Sequence, residues 1–445
     1  MSFFSISDAL LVSVWLFLML WLIRSHSFFR IQELQPRFIT YVFLLKVVAG
    51  FFLTIIYTFY YTDRANADIY KYFDDSALMT DALFHKPGDF FRMLFGYEND
   101  NNYFNEQYYN HMNNWFRKYE SNIYNDSHTI IRINAVLRIF SFGSFHVHTL
   151  FSCFLSLTGL VALYKAFKSF FTGKEKWMAY AIFLLPSVLF WASGVLKESY
   201  LMFGLGLLLY SIMFLLNGDW KKWSIYLALL TGILLLLYLK VYVLMALLPG
   251  IIGFVFVRKT SVQLLFLKYG LVVLVCLFGW VYFEKLFPSW HMLEILVQKQ
   301  QDFIRLSQAM NSGSMLYTVP LDPDFLSFIK AAPLAFTNVL LRPFPGESFS
   351  PFLLIASAEN AILLVAMVLV VFRFQKPNKD QLNLIVFFLL FVVGLFVLIG
   401  WVTPVMGAIV RYKVPALPFL GMIVVMLMNI QGKPSSENYS AKRSD

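Results

Sequence analysis

One stretch decides the fold: residues 38–61 read FITYVFLLKVVAGFFLTIIYTFYY, an apolar run interrupted by a single charge, Lys46. About 20 apolar residues in a helix span the roughly 30 Å hydrocarbon core of a bilayer, so this run predicts a transmembrane helix. A long polar segment follows directly and contains three carboxylates, those of Asp68, Asp74 and Asp75. We therefore expect acidic side chains just above a membrane surface, and we expect the reaction site to lie there.

The composition of the whole chain is that of a membrane protein. Of its 445 residues, 59% are hydrophobic and only 14% are charged, and the mean hydropathy is +0.65. These values lie outside the range of soluble globular proteins, and they predict an all-α polytopic membrane protein embedded in a lipid bilayer. The net charge of +10 does not imply a nucleic-acid partner, because basic residues of membrane proteins gather in cytoplasmic loops.

Hydropathy predicts about eleven transmembrane helices. With this count every group of basic loop residues falls on one side, which places the N-terminus outside and the C-terminus in the cytoplasm of a bacterial inner membrane. The two long polar segments then share the opposite, extracytoplasmic side. The predicted spans are 8–23, 38–61, 146–165, 177–194, 198–216, 223–239, 241–257, 269–287, 352–372, 381–401 and 413–430.

The spans divide the chain into six parts. The first long loop is too aromatic for a disordered linker and predicts a small folded cap. Within it, residues 130–142 have apolar positions at helical spacing interrupted by Arg132 and Arg138, as in a helix lying at the membrane interface. The parts are 1–61 with the first two helices, 62–145 as the first extracytoplasmic loop, 146–287 as a helical bundle, 288–351 as the second such loop, 352–430 with the last three helices, and 431–445 as a disordered cytoplasmic tail.

The first candidate site is the acidic motif DIYKYFDD, which starts at Asp68. In a helix, residues six or seven positions apart lie near one face, so Asp68 could share a face with Asp74 or Asp75. Such a group could act as general base on an acceptor hydroxyl. It could also hold a divalent cation, with Asp68 and Asp75 as ligands. The alternative is a solvated acidic turn.

Further charges lie at the same predicted side. Lys197 and Glu198 interrupt one apolar stretch, and they either pair at the bilayer edge or line a cavity in which an ammonium meets a phosphate. Glu359 lies about two turns inside a span, so it must face a cation or a polar interior, or form an interhelical hydrogen bond. Basic residues on the extracytoplasmic side are unusual, because basic residues of membrane proteins lie mostly in cytoplasmic loops. Binding of an anionic lipid head group is the simplest reason for these cations. The predicted substrate-binding residues are Lys197, Glu198, Arg342, Glu359, Arg411, Tyr412 and Lys413.

An Asp-x-Tyr motif after an early span, Asp68-Ile69-Tyr70, together with a cap-forming loop and many further spans, resembles GT-C-type glycosyltransferases of bacterial cell-envelope polysaccharide synthesis. The resemblance implies a sugar donor on a polyprenyl phosphate and a glycan, lipid or protein acceptor. It also implies that Asp68 is the loop acid that activates the acceptor, with Asp74 or Asp75 as a second acid. Two features depart from the family pattern: Ile69 replaces the second residue of a tandem acidic pair, and one extra span precedes the loop.

The implied reaction is a direct displacement at the anomeric carbon. An aspartate takes the proton of the acceptor hydroxyl, while Lys197, Arg342, Arg411 and Lys413 neutralise the departing phosphate. One alternative is an O-antigen-type polysaccharide polymerase or ligase, whose large late loop with paired arginines residues 288–351 partly provide. Another is a transporter or lipid flippase, which should show internal repeats and charges near the midplane of several spans. A divalent cation is the one cofactor left open.

Overall fold

The computed structural model describes residues 5–61, 63–65, 67–116, 124–218, 220–286, 291–309, 313–347 and 350–430. The predicted disordered tail, 431–445, lies outside these residues. Within the described ranges the regular structure consists of eighteen α-helices with short 3-10 turns and contains no strand longer than an isolated bridge. The helices are α1 (Ile6–Ser25), α2 (Phe38–Phe59), α3 (Asp68–His85), α4 (Pro87–Phe95), α5 (Asn102–Gln107), α6 (Asp126–Ser141), α7 (Phe145–Phe167), α8 (Glu175–Phe183), α9 (Pro186–Trp191), α10 (Lys197–Leu216), α11 (Trp223–Lys259), α12 (Leu265–Leu286), α13 (Met292–Ala309), α14 (Phe325–Leu341), α15 (Pro351–Phe372), α16 (Lys379–Val402), α17 (Met406–Tyr412) and α18 (Leu417–Leu427).

Eight helical stretches of the described chain are long and apolar enough to cross a membrane. The protein is therefore a helical membrane protein, as its composition predicts. The count of about eleven spans stays a prediction. The predicted spans 223–239 and 241–257 fall within one helical stretch, and those at 177–194 and 269–287 are not among the eight. The eight stretches are Ile6–Ser25, Phe38–Phe59, Phe145–Phe170, Lys197–Leu216, Trp223–Lys259, Phe352–Phe372, Lys379–Val402 and Met406–Leu427.

Two predicted spans have different boundaries in the structure. The span predicted at 177–194 is divided into α8 and α9, because Pro186 has no amide hydrogen to continue a helix and holds Leu185 in an extended conformation. The span predicted at 413–430 begins earlier, since a single 3-10 turn joins α17 to α18. Arg411 and Lys413 are therefore the sixth and eighth residues of the last apolar stretch, and their place at the outer membrane face stays a prediction.

The 37-residue helix α11 folds back on itself. A straight helix of this length would measure about 55 Å. Arg258, near its end, nevertheless donates a 2.7 Å hydrogen bond to Asn217, which precedes its start. The reversal lies at Lys240, the one residue of α11 with non-helical dihedrals (φ −152°, ψ 74°). The chain thus turns back at the residue that separates the predicted spans 223–239 and 241–257.

Groups predicted to share one side of the membrane contact one another. Lys168, after α7, donates to Glu33 at 2.8 Å, and Lys174 donates to three backbone carbonyls at the end of α18. Gln381, at the start of α16, donates to the carbonyl of Phe170 at 2.8 Å. We call this end of the bundle the basic end. The opposite end, with α3, the starts of α7 and α10 and the turn at Lys240, is called the site end.

Within residues 62–145 the structure describes four helices, α3 to α6, that pack around a small apolar core, to which α10 adds Tyr200 and α11 adds Leu239. The core includes Tyr109 and Trp115, whose rings stack with centroids 4.0 Å apart. The apolar side of α6 faces this core, since Ile131 is fully buried, and both arginines of α6 donate to backbone carbonyls of the same segment. The helical spacing predicted for an interfacial helix therefore serves packing inside the protein.

Candidate functional site

The site is built around Arg411, which lies between two carboxylates from distant parts of the chain. Its guanidinium forms an ion pair with Asp68, and its Nε lies 2.8 Å from Oε2 of Glu198. Lys71, one turn along α3, approaches Asp68 at 2.5 Å. Lys240 lies beside Tyr412, the next residue after Arg411. We call Asp68, Lys71, Glu198, Lys240 and Arg411 the charge cluster.

Helix termini explain why these charges are tolerated here. Asp68 lies in the first turn of α3 and Glu198 in the first turn of α10, where the positive end of a helix dipole favours a carboxylate. Arg411 lies in the last turn of α17, where the negative end favours a cation. Three helices therefore meet with termini whose dipoles match the charges, and the cluster forms where they converge.

Exposure separates the two carboxylates. The side chain of Glu198 is 1% exposed and that of Arg411 is 11% exposed, whereas Asp68 is 31% exposed. A substrate can therefore reach Asp68. Within the described part of the chain neither oxygen of Glu198 accepts a hydrogen bond, and its contact with Arg411 lacks hydrogen-bond alignment. Buried acceptors usually have donors, so Glu198 has capacity to bind a hydroxyl or a water molecule.

The surrounding charges control the ionisation of Asp68. Burial raises the pKa of this carboxyl, but the guanidinium of Arg411 and the ammonium of Lys71 outweigh burial and hold the pKa well below its ordinary value. Asp68 is thus ionised at neutral pH, and it is a weak base while Arg411 pairs with it. An anion that competed for Arg411 would raise the pKa of Asp68 and strengthen it as a base.

Lys240 is a cation of the cluster without a carboxylate partner. Its ammonium lies 4.0 Å from the ring centroid of Tyr412 and 5.5 Å from that of Tyr242, within the range of cation–π contacts. The ion pairs among the described residues do not include Lys240. The cluster holds three cations, Lys71, Lys240 and Arg411, against two carboxylates, so one positive charge is in excess. An anionic ligand would balance it.

Lys197 lies next to the cluster but already has a carboxylate partner. Its ammonium is 2.9 Å from Oδ2 of Asp126, the first residue of α6, and 4.8 Å from the ring centroid of Tyr72. This pair ties the start of α10 to residues 62–145. Lys197 therefore forms an ion pair, as one alternative predicted, but its partner is Asp126 and not Glu198.

The structure does not bring the other two aspartates of the acidic motif into the cluster. Asp74 forms two hydrogen bonds with Arg64, at 2.7 and 2.8 Å, on the surface. Asp75 is buried and accepts the backbone N–H groups of Asn113 and Asn114, both at 2.9 Å. Burial raises the pKa of Asp75, although these hydrogen bonds oppose the shift. The stretch is helical, as the prediction of a shared face requires, but its three carboxylates make separate contacts and do not come together in one site.

The predicted metal ligands have other partners. Asp68 contacts two cations, and Asp75 accepts three hydrogen bonds from Asn113 and Asn114. Across the described ranges no group of three or more His, Cys, Asp or Glu side chains could hold a metal ion. Binding of a divalent cation therefore stays a prediction, and the described residues provide no set of ligands for it.

Lys413 and Arg342 lie in a second polar group. The buried ammonium of Lys413 donates to Oδ1 of Asn360 at 2.8 Å and to the backbone carbonyls of Val339 and Arg342 at 3.2 and 3.3 Å. It thereby satisfies carbonyls at the C-terminus of α14, which have no partner within that helix. The side chain of Arg342 pairs with Glu347. Lys413 and Arg342, which were predicted as phosphate ligands, therefore stabilise the second long loop through contacts within the protein.

Glu359 and Tyr412 complete the predicted set. Glu359 is buried and accepts the backbone N–H of Ser187, in the first turn of α9, at 2.6 Å. The interhelical hydrogen bond stated as its alternative role is present. Tyr412 lies under Lys240 and has a ring contact with Phe303 of α13, at 6.4 Å between centroids. Of the seven predicted substrate-binding residues, four thus lie in or beside the charge cluster: Lys197, Glu198, Arg411 and Tyr412.

Three residues of the site were not assigned a role from the sequence. Lys71 could have been found, because it lies one helical turn after Asp68, where opposite charges pair. Lys240 could have been found as an isolated charge in the middle of a long apolar stretch. Asp126 carries no such signal, because it lies among many polar residues of the first loop.

The hydrogen bonds of Asp75 support a stability prediction. Asp75→Asn is expected to lower the free energy of unfolding by about 1–3 kcal/mol, because an amide accepts at one position only and leaves a buried N–H donor unsatisfied. Thermal unfolding in detergent measures the change. Asp74→Asn, which breaks an exposed ion pair, should cost no more than about 1 kcal/mol. Equal losses for both variants would contradict the buried role of Asp75.

The chain matches no protein-family model, no curated protein and no solved structure. The functional conclusion therefore rests on the geometry of the charge cluster.

Proposed function

We propose that the protein is a membrane glycosyltransferase that moves a sugar from a polyprenyl-phosphate-linked donor to an acceptor hydroxyl at the site end of the bundle. One observation carries this proposal: an accessible carboxylate, Asp68, is in contact with a buried guanidinium, Arg411, although 343 positions separate them. Glycosyl transfer from a lipid phosphate needs a base at the acceptor and positive charge at the leaving group. This contact supplies both within one site.

The proposed reaction is a single displacement. The acceptor oxygen attacks the anomeric carbon while Asp68 takes its proton. The bond between that carbon and the phosphate oxygen breaks, and its electron pair leaves with the phosphate. Arg411 and Lys240 neutralise the charge that grows on the phosphate oxygens. The products are the glycosylated acceptor and the polyprenyl phosphate, and Asp68 then returns the proton to water.

The resting ion pair fits this sequence of events. While the site is unliganded, Arg411 holds Asp68 in a weakly basic state. A donor phosphate between Arg411 and Lys240 would compete for the guanidinium and free the carboxylate for the acceptor. The excess positive charge of the cluster favours that phosphate. Base activation is thereby coupled to donor binding.

Reconstitution tests the proposal. The full chain in proteoliposomes is supplied with a polyprenyl phosphate carrying a labelled sugar and with candidate acceptors. We expect labelled glycoside to form in step with released polyprenyl phosphate. Movement of labelled lipid across sealed vesicles without a new glycosidic bond would replace the proposal with a flippase. Transfer only of whole glycans would replace it with a polymerase or ligase.

Lys240→Gln should weaken use of the donor. Loss of a charge-assisted contact to phosphate is worth about 1.5–3 kcal/mol, so we expect kcat/KM for the donor to fall about tenfold to a hundredfold. Lys240→Arg should keep most of the activity, because the positive charge remains. Lys221→Gln removes an exposed lysine outside the cluster and serves as control. An unchanged donor kcat/KM in Lys240→Gln would exclude Lys240 from phosphate binding.

A further inference from the structure

A polar cavity of about 570 Å³ lies at the basic end of the bundle, away from the charge cluster. Its walls come from the residues that follow α7, the second half of α11, and the α15–α16 loop with the start of α16. Nine of the eleven lining residues are polar or charged. The eleven residues, of which only Phe170 and Phe254 are apolar, are Ser169, Phe170, Thr172, Phe254, Arg258, Gln375, Lys376, Asn378, Asp380, Gln381 and Asn383.

The charged residues that line the cavity favour an anionic ligand. Arg258 and Lys376 are opposed by one acid, Asp380, so the lining carries one net positive charge. The hydrogen bond of the Arg258 guanidinium goes to the neutral amide of Asn217. Among the described residues, neither cation forms an ion pair. A guanidinium fork and an ammonium at the mouth of one cavity suit the oxygens of a phosphate group.

Hydrogen bonds between helices hold the walls of the cavity in place. Asn383, 4% exposed, donates to the carbonyl of Phe254 at 3.3 Å and accepts from the hydroxyl of Tyr269 at 2.8 Å. Gln381 donates to the carbonyl of Phe170. These bonds join α16 to α11, to α12 and to the turn after α7. The size of the cavity falls in the range of sites that bind small polar ligands, roughly 300–1,000 Å³.

Exposed apolar side chains lie on the same chain segments as the two cations of the cavity. Phe256 precedes Arg258 by two residues on α11, and Phe374 precedes Lys376 by two residues, and both rings are exposed. Leu267, near the start of α12, is 68% exposed. Exposed apolar side chains of a membrane protein face acyl chains, so membrane lipid surrounds the segments that carry Arg258 and Lys376. Lipid head groups are therefore the source of phosphate adjacent to this end of the bundle.

We propose that this cavity binds the phosphate head group of an anionic membrane lipid, with Arg258 and Lys376 as its cationic ligands. Basic cavities between helices on the positively charged side of membrane proteins suit such head groups. The bound lipid would join α11 to the α15–α16 loop and stabilise the basic end. The proposal is independent of glycosyl transfer, because it concerns other residues at the opposite end of the bundle.

Lipid titration of the full chain in neutral detergent tests the site. Short-chain phosphatidylglycerol is added, and bound lipid is counted by native mass spectrometry. Arg258→Gln with Lys376→Gln removes both charge-assisted contacts to the phosphate, so this double variant should weaken binding at least about thirtyfold. The matched control is Lys259→Gln with Lys379→Gln, which removes the same charge from neighbouring positions outside the lining. It should weaken binding less than about threefold, because neither residue lines the cavity.

Two further measurements distinguish specific binding from misfolding and from other ligands. Asp380→Asn removes the opposing acid and should tighten binding several-fold, an effect that loss of structure cannot produce. Phosphatidylcholine, glycerol phosphate and inorganic phosphate should each bind at least tenfold more weakly than phosphatidylglycerol. Equal weakening in both double variants would overturn the site. Glycerol phosphate binding as tightly as the lipid would assign the cavity to a soluble compound and overturn the lipid proposal.

Discussion

Asp68→Asn is expected to reduce the rate of glycosyl transfer by about 10²–10⁴-fold, the range that general-base catalysis contributes. Asparagine cannot take the proton of an acceptor hydroxyl. Its side-chain oxygen can still accept a hydrogen bond from Arg411, so the local structure should persist. Initial rates in proteoliposomes at saturating donor measure the effect. We expect the loss in kcat, because the proton moves only in the transition state.

Asp74→Asn is the matched control for this variant. It makes the same chemical change on the same helix, six positions further on, at a residue paired with exposed Arg64. Exposed ion pairs contribute only about 0.2–1 kcal/mol, so transfer should stay within about twofold of the unmodified protein. Full activity of Asp68→Asn would remove Asp68 from the reaction. Equal losses in both variants would show that the aspartates act through the fold alone.

Arg411→Gln is expected to lower both stability and activity. The substitution leaves Glu198, 1% exposed, without the cation that contacts it, and breaking a buried pair in this way costs about 3–5 kcal/mol. It also removes the guanidinium that we place at the leaving phosphate, so transfer should fall by about 10²–10³-fold. Thermal unfolding and initial rates measure the two effects separately.

A double variant separates these two roles of Arg411. Arg411→Gln with Glu198→Gln no longer contains the uncompensated buried carboxylate, so most of the lost stability should return. Transfer should stay low, because the phosphate still lacks its guanidinium. Arg411→Lys keeps the charge but loses the bidentate fork, and should give an intermediate rate. Recovery of transfer together with stability in the double variant would assign Arg411 a structural role only.

Much of the architecture could be predicted from residue types alone. Long apolar runs predict helices in a membrane because an exposed backbone amide has no partner in hydrocarbon. Charges within such runs are costly, so Glu198 and Arg411 could be selected as candidates without any structure. The reversal of α11 at Lys240 also follows a visible signal, a lone charge between two apolar stretches. The cation–π contacts of this lysine could not be predicted.

The partners of each charge could not be predicted. Asp75, seven residues after Asp68, lies on nearly the same face of α3 but about 10 Å further along the helix, and Asp74 is rotated from both by about 100–120°, so the three carboxylates meet different neighbours. Likewise, Arg411 and Lys413 are two residues apart. One meets carboxylates of two other helices, and the other binds carbonyls at the end of α14.

By itself the sequence determined that the chain forms apolar helices in a membrane, and that a small number of charges must lie where those helices end. These properties depend on transfer of residues from water to hydrocarbon, which is additive along the chain. Only the tertiary structure decided that Asp68, Glu198 and Arg411 meet while Lys413 and Arg342 fasten a loop. An ion pair requires atoms within a few ångströms, and that distance depends on how all of the helices pack together.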